Sequence, residues 1–241
     1  TVAAFAGPAA PFSKLAGLGL AGAVDEAKLA ALEREHAARS APLRVELATL
    51  ADPGVATLLT RRGYLLLGFE NVLGRELAAP ERDAAVPGAG GVAVRRAAPD
   101  EIAAWIDVVT DGFAHPDVFD GPPPDETFPR ETLARVFRDF AVAPGCAQYV
   151  ALRGGEVAGG GAIRVDGGLA QLCGAATLPA HRRRGVQSAL LAGRLADAAR
   201  AGCDLAVVTT QPGSKSQENV QRQGFELLYT RAVLVRAFGK E

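Results

Sequence analysis

The stretch from Cys146 to Thr210 does most to limit what this chain can fold into. Cys146–Arg153, Val157–Val165 and Leu169–Leu178 each read as strands, joined by Gly154-Gly155 and by Asp166-Gly167-Gly168. Glycine-rich joints of that length make tight hairpins, so the three strands predict an antiparallel meander. A basic loop, His181-Arg182-Arg183-Arg184-Gly185, comes next. An Ala/Leu-rich pattern then predicts a helix to about Ala201, followed by a strand at Leu205–Thr210. The loop therefore sits at a helix N-terminus. The first N–H groups there lack intrahelical partners and the dipole end is positive. Three guanidinium groups beside such a terminus predict a site for a phosphate-bearing small molecule.

The remaining chain divides around this stretch. Lys14–Leu20 and Leu43–Leu50 read as strands, and Val24–Arg39 as a helix. Asp52-Pro53 opens a helix to Arg62, and Tyr64–Leu77 reads as one or two strands. Residues 78–91 are a Pro/Gly/Ala stretch without periodicity, the expected linker. Val92–Arg96 predicts a strand, Pro99 to about Phe113 a helix, and Arg130–Ala141 another. Between these helices lies an irregular Pro-rich loop, long enough to suggest a functional one. It carries Asp117, Asp120, Asp125 and Glu126, a weak hint of a cationic acceptor. The chain closes with a short helix to about Gln223 and a strand pair over Phe225–Phe238. The expected domains are 1–77 and 92–241, joined by 78–91.

An internal echo links the two parts. Gly63-Tyr64-Leu65-Leu66-Leu67 and Val72-Leu73 match Gly224-Phe225-Glu226-Leu227-Leu228 and Val233-Leu234 at one constant offset. Arg61 falls opposite Arg222, and Thr49 opposite Thr210. The first copy has Ala21–Glu26 where the second has its arginines. Its Asp25 and Glu26 would repel a phosphate, so only the second loop is expected to bind one.

Composition excludes several classes. The chain has 241 residues, 49% of them apolar, and a formal net charge of −1. That supports a sizeable core and argues against nucleic-acid binding by bulk charge. No apolar run reaches transmembrane length and no charged-then-apolar signal opens the chain, so no membrane partner is expected. The three cysteines, Cys146, Cys173 and Cys203, are far apart and lack metal-site spacing. They read as reduced thiols in a cytoplasmic protein without a bound metal.

The order of elements from residue 91 to 238 resembles the GNAT acetyltransferase superfamily. Arg182-x-x-Gly185-x-Gln187 resembles its acetyl-CoA loop, and Asn219-Val220-Gln221-Arg222-Gln223-Gly224-Phe225 its later N…GF segment. The fold this implies is α/β (α+β): a mixed, mostly antiparallel sheet flanked by helices. A smaller, degenerate half-domain of similar topology precedes it. The implied activity is transfer of an acetyl group from acetyl-CoA to a primary amine, directly, within a ternary complex. The acceptor is a small molecule or a peptide, and the half-domain covers the acceptor side or forms a homodimer surface.

The resemblance also implies site residues. The backbone of Ala175, Ala176 and Thr177 would hold the pantetheine arm. The amides of Arg183, Arg184, Gly185, Val186, Gln187 and Ser188 would face the pyrophosphate. Arg182 and Arg184 are placed to add side-chain contacts, and Ser216 or Asn219 to meet CoA from the later helix. Two departures stand out. Gln187 replaces the usual small residue, and Val220 occupies the position of the family's frequent general-acid tyrosine. Tyr229, on the following strand, is the remaining candidate acid. A non-catalytic acyl-CoA-binding module and a different phosphate ligand stay open as alternatives. The absence of GxxxxGK[ST] argues against a nucleoside triphosphatase.

Overall fold

A computed structural model describes residues 1–7, 10, 12–77, 91–115 and 128–238. The expected linker, Gly91 apart, and the acidic positions Asp117, Asp120, Asp125 and Glu126 lie outside the described residues. In chain order the elements are β1 (Val2–Ala4), β2 (Lys14–Ala16), α1 (Glu26–Ala38), β3 (Leu43–Ala48), α2 (Gly54–Arg61) and β4 (Leu65–Glu76). Then come β5 (Val92–Arg96), α3 (Ile102–Ala114), α4 (Arg130–Ala141), β6 (Cys146–Arg153), β7 (Glu156–Asp166) and β8 (Leu169–Thr177). The last are α5 (Val186–Arg200), β9 (Leu205–Thr210), α6 (Lys215–Gln221) and β10 (Glu226–Arg236).

These elements form two compact units. The first holds Thr1–Val72 with the chain from Leu227 onward, and the second holds most of Leu73–Glu226. The last strand thus packs with the N-terminal unit.

In the first unit the strand order is β1-β2-β3-β10-β4. β2 runs parallel to β3, pairing Lys14–Ala16 with Arg44–Glu46, and β10 runs antiparallel to β3. Between β2 and β3, α1 turns Leu29, Glu33 and His36 inward, one stripe of a 3.6-residue period. With Leu15, Val45, Leu59 and Leu234, Leu29 makes the core. The strand expected over Lys14–Leu20 stops at Ala16. Gly17 and Gly19 both take positive φ, and a Cβ on Gly19 would come within 2.6 Å of Val55 Cγ2. The chain therefore turns there against α2 instead of extending. The expected strand pair over Phe225–Phe238 is one strand, because Glu226–Arg236 continues without a turn.

In the second unit the order is β9-β8-β7-β6-β5, and the end of β4 joins it. β5, β6, β7 and β8 are successively antiparallel; β8 and β9 are parallel across α5. Gly159-Gly160-Gly161 on β7 lets helices approach both faces. A Cβ on Gly160 would lie 2.8 Å from Val109 Cγ1 on α3, and one on Gly159 2.9 Å from Val186 Cγ1 on α5. Strand alternation makes these opposite faces. Trp105 of α3 meets Phe137 of α4 edge-on at 5.9 Å. On the other face Leu190, Leu195 and Phe225 fill the main core.

Candidate functional site

The site begins where two parallel strands part. β8 and β9 pair from Leu169↔Leu205 to Leu172↔Val208. β8 then runs on to Thr177 without pairing to β9, while keeping its ladder to β7. A register shift divides that ladder. Cys173 faces Ala162 and Ala176 faces Gly160, so Gly174 and Ala175 together stand opposite Gly161. An extra residue on one strand is a β-bulge, which bends and twists its strand. Gly174 takes φ +54, and a Cβ on it would lie 3.3 Å from the Phe137 ring. The bulge thus explains how β8 turns away from β9. Ala175, Ala176 and Thr177 occupy the stretch that has left β9.

The basic loop lies at the end of this stretch. Pro179–His181 form a single 3-10 turn. Arg182 donates from Nε to the Thr177 carbonyl at 3.3 Å, and from a terminal nitrogen to the His115 carbonyl. It ties the loop to β8 and to the end of α3. Arg183 and Arg184 are exposed, and neither has a side-chain partner among the described residues. Arg183 takes φ +58, strained for a residue with a Cβ, and Gly185 takes φ +79. Such turns bring successive N–H groups round to one side, a geometry that suits anions. Gly185 is the N-cap of α5 and offers no side-chain cap. The first N–H groups of α5, on Val186, Gln187 and Ser188, are left to a ligand or to water.

The other candidates fall in different places. Ser216 is exposed and Asn219 half-buried on α6, whose own N-cap Ser214 accepts from the Gln217 N–H at 3.2 Å. Val220 is buried in the core cluster with Phe225, which accounts for an aliphatic residue there. Tyr229 lies half-buried on β10, a strand of the first unit. Near the loop, though not among those candidates, His115 is exposed at the end of α3, with Nδ1 2.9 Å from the Asp111 carbonyl. Burial pushes the Cys173 thiol up to about 12, which leaves it protonated and a poor nucleophile. Among the described residues no three His, Cys, Asp or Glu side chains are grouped to hold a metal, and no helix is long and apolar enough to cross a membrane.

Two features at this site escaped sequence reasoning: the bulge, and a buried arginine, Arg194 on α5. The glycine run 159–161 was the available signal. Glycine inside a strand marks a bulge or a close approach of another element, and here it marks both.

Residues 114–225 match the family model for the acetyltransferase (GNAT) family. A search of curated proteins finds no match. Among solved structures, a GCN5-related N-acetyltransferase from Kribbella flavida superposes with a TM-score of 0.69 at 21% identity, over 98% of this chain and 85% of that one. A tandem GNAT protein from the clavulanic acid biosynthesis pathway gives 0.62 at 16%, over 90% and 70%. A GCN5-related N-acetyltransferase from Sphaerobacter thermophilus gives 0.59 at 16%, over 83% and 61%. At such identities these likenesses speak for the fold alone. The stretch that holds the splayed strand and the basic loop thus matches the acetyltransferase (GNAT) family model, and the fold is that of these acetyltransferases, a mixed sheet flanked by helices with a smaller half-domain of similar topology before it.

Proposed function

We propose that the protein transfers an acetyl group from acetyl-CoA to a primary amine of a small-molecule or peptide acceptor, directly, in a ternary complex. The observation that carries this reading is the uncapped N-terminus of α5 beside a strand that has left its neighbour. The residues suit the donor. The N–H groups of Arg183 to Ser188, with the exposed Arg183 and Arg184 side chains, would take the pyrophosphate. The backbone of Ala175 to Thr177 would take the pantetheine arm. Ser216 and Asn219 of α6 are further candidates for CoA.

Acetyl-CoA supplies an activated acetyl group as a thioester. The chain has three tasks. It must hold the donor, bring the amine alongside, and stabilise the charge that grows on the thioester oxygen. A free thiol has a pKa of roughly 8.5, so the leaving group needs little help from an acid. Tyr229 is the proposed donor of that proton, with a small share of the catalysis. A cytoplasmic location and a homodimer belong to the same reading; free Cys146, Cys173 and Cys203 suit a reducing compartment.

Calorimetric titration with acetyl-CoA, followed by a panel of amines, tests the reading. Saturable binding and turnover of at least one amine are expected. Binding without turnover of any amine would identify a non-catalytic acyl-CoA-binding module instead. No binding would refute the donor assignment. Turnover that Tyr229→Phe leaves intact would remove Tyr229 from the mechanism.

A further inference from the structure

Arg194 is 2% exposed, and its charge has no carboxylate partner among the described residues. That is unusual, because a buried charge is costly unless it is paired or hydrogen-bonded. Its donors go to backbone carbonyls. Nε donates to Leu190 within α5 at 3.0 Å, and one terminal nitrogen donates to Ala162 at 3.2 Å and to Cys173 at 3.4 Å. Ala162 and Cys173 are the register pair on which the bulge opens. Gly161, opposite the bulge, leaves room for the guanidinium: a Cβ there would lie 3.2 Å from Arg194 Cζ. Trp105 Nε1 takes the Gly161 carbonyl at 3.1 Å. Side chains therefore satisfy three carbonyls around the bulge, where an undisturbed ladder would need none of them.

The Cys173 carbonyl and the Gly174 N–H belong to one peptide group. A peptide whose carbonyl accepts from a cation becomes a stronger donor at its N–H, since hydrogen bonds in series polarise one another. The cation also acts through a low-dielectric interior, where its field is screened little. Burial pulls its pKa down to about 10, which leaves it charged at neutral pH.

We propose that Arg194 is a positioning residue for the thioester: it fixes the β8 bulge and polarises its peptide toward the acetyl carbonyl. This rests on the reading of acetyl-CoA as donor. A purely structural arginine would show itself in stability alone, whereas a polarising one alters the bound carbonyl.

The test uses acetyl-CoA labelled with 13C at the carbonyl, bound to the full chain and observed by isotope-edited infrared spectroscopy. In the unsubstituted protein the carbonyl stretch should move to lower frequency on binding. Arg194→Met, close in volume but neutral, should lose most of that shift while CoA itself binds as before. Melting should fall, because the Ala162 and Cys173 carbonyls lose their donor, so the spectra are taken well below the melting temperature of each variant. Arg194→Lys keeps the charge without the fork and should recover part of the shift. Turnover of a responsive amine by Arg194→Met should fall on the order of tenfold, less than the roughly 100-fold typical of a direct oxyanion donor. An unaltered shift in either variant overturns the proposal, and Arg194→Lys supplies that result should Arg194→Met not fold. Failure of the unsubstituted protein to bind acetyl-CoA would instead overturn the donor reading.

Discussion

Asp25 and Gly185 are the N-cap residues of α1 and α5, the helices that follow the loop in two halves of similar topology. Asp25 caps α1 with its own side chain, accepting from the Lys28 N–H at 3.1 Å. Gly185 leaves α5 uncapped. The strands before the two loops differ too. β2 turns at Gly17 soon after its last pair with β3, whereas β8 runs past its last pair with β9 to Thr177. One half thus closes its helix end and has no splayed strand; the other keeps both open. Their interiors diverge as well. At the repeat offset, Glu33 of α1 stands opposite Arg194 of α5. Glu33 is satisfied by Arg62 at 2.5 and 3.0 Å and by Arg236 at 3.0 Å, all within its own unit. Among the described residues Arg194 has only carbonyls. In the first half the same topology has its Glu33 charge satisfied internally and its helix end capped. With its helix end uncapped and its strand splayed, the second half has the makings of a binding site.

Substitutions that move one half toward the other probe this contrast. Gly185→Asp gives α5 the residue that caps α1, and it should weaken acetyl-CoA binding the most, by about 100-fold. It combines strain at positive φ, a cap that competes for the same N–H groups, and repulsion of the phosphates. Titration calorimetry reads this, and unchanged affinity would break the comparison. Glu33→Gln should destabilise the first unit by about 2–3 kcal/mol. That is below the cost for a fully buried pair, because Arg62 and Arg236 both reach solvent. Acetyl-CoA affinity should hold, and a large fall in affinity at unchanged stability would contradict a scaffolding role.

The same carboxyl predicts a pH dependence. Burial pushes the Glu33 pKa up, but hydrogen-bonded ion pairs with Arg62 and Arg236 outweigh it and hold it below the ordinary value. A depressed carboxyl stabilises the fold above its unfolded pKa and loses that contribution as pH falls through the folded one. Melting temperature should therefore decline below about pH 4.5, and Glu33→Gln should flatten the decline.

Replacing Arg183 and Arg184 together by Ala should cost about 30-fold in acetyl-CoA affinity, since exposed charge-assisted contacts are partly screened. The loss should shrink at high salt. Unchanged binding would remove the loop from the site. The smallest effect is expected from Asp25→Ala, with a melting temperature lower by no more than about 2 °C. It should not create a second acetyl-CoA site, because the first half lacks the splayed strand. A second binding event in calorimetry would show that the cap alone had kept that half closed.

Much of the fold was legible because local rules and tertiary structure agree. Periodicity placed Val92–Arg96, Arg130–Ala141, Cys146–Arg153 and Leu205–Thr210 where β5, α4, β6 and β9 lie. Turn glycines marked the meander. The loop was legible as well, since Arg182 to Gly185 combine charge with a helix start. What failed to show was non-local. Arg182 read as a phosphate ligand, yet at least two of its donors hold the Thr177 and His115 carbonyls, a contact across the fold that spacing cannot reveal. Lys14–Leu20 read as a strand because its apolar content does not register the close approach of Gly19 to Val55.

The sequence by itself determined the order of elements and the chemistry of the loop. Each depends on neighbours along the chain: period, turn residues and clustered charge. Tertiary structure alone decided that β10 packs with the N-terminal unit, that β8 parts from β9 at a bulge, and that Arg194 is buried beneath it. Those outcomes turn on which strand finds which edge and on whether two surfaces fit within a few tenths of an ångström. Glycines 159 to 161 record that fit, but they acquire meaning only once α3 and α5 are in place on either side.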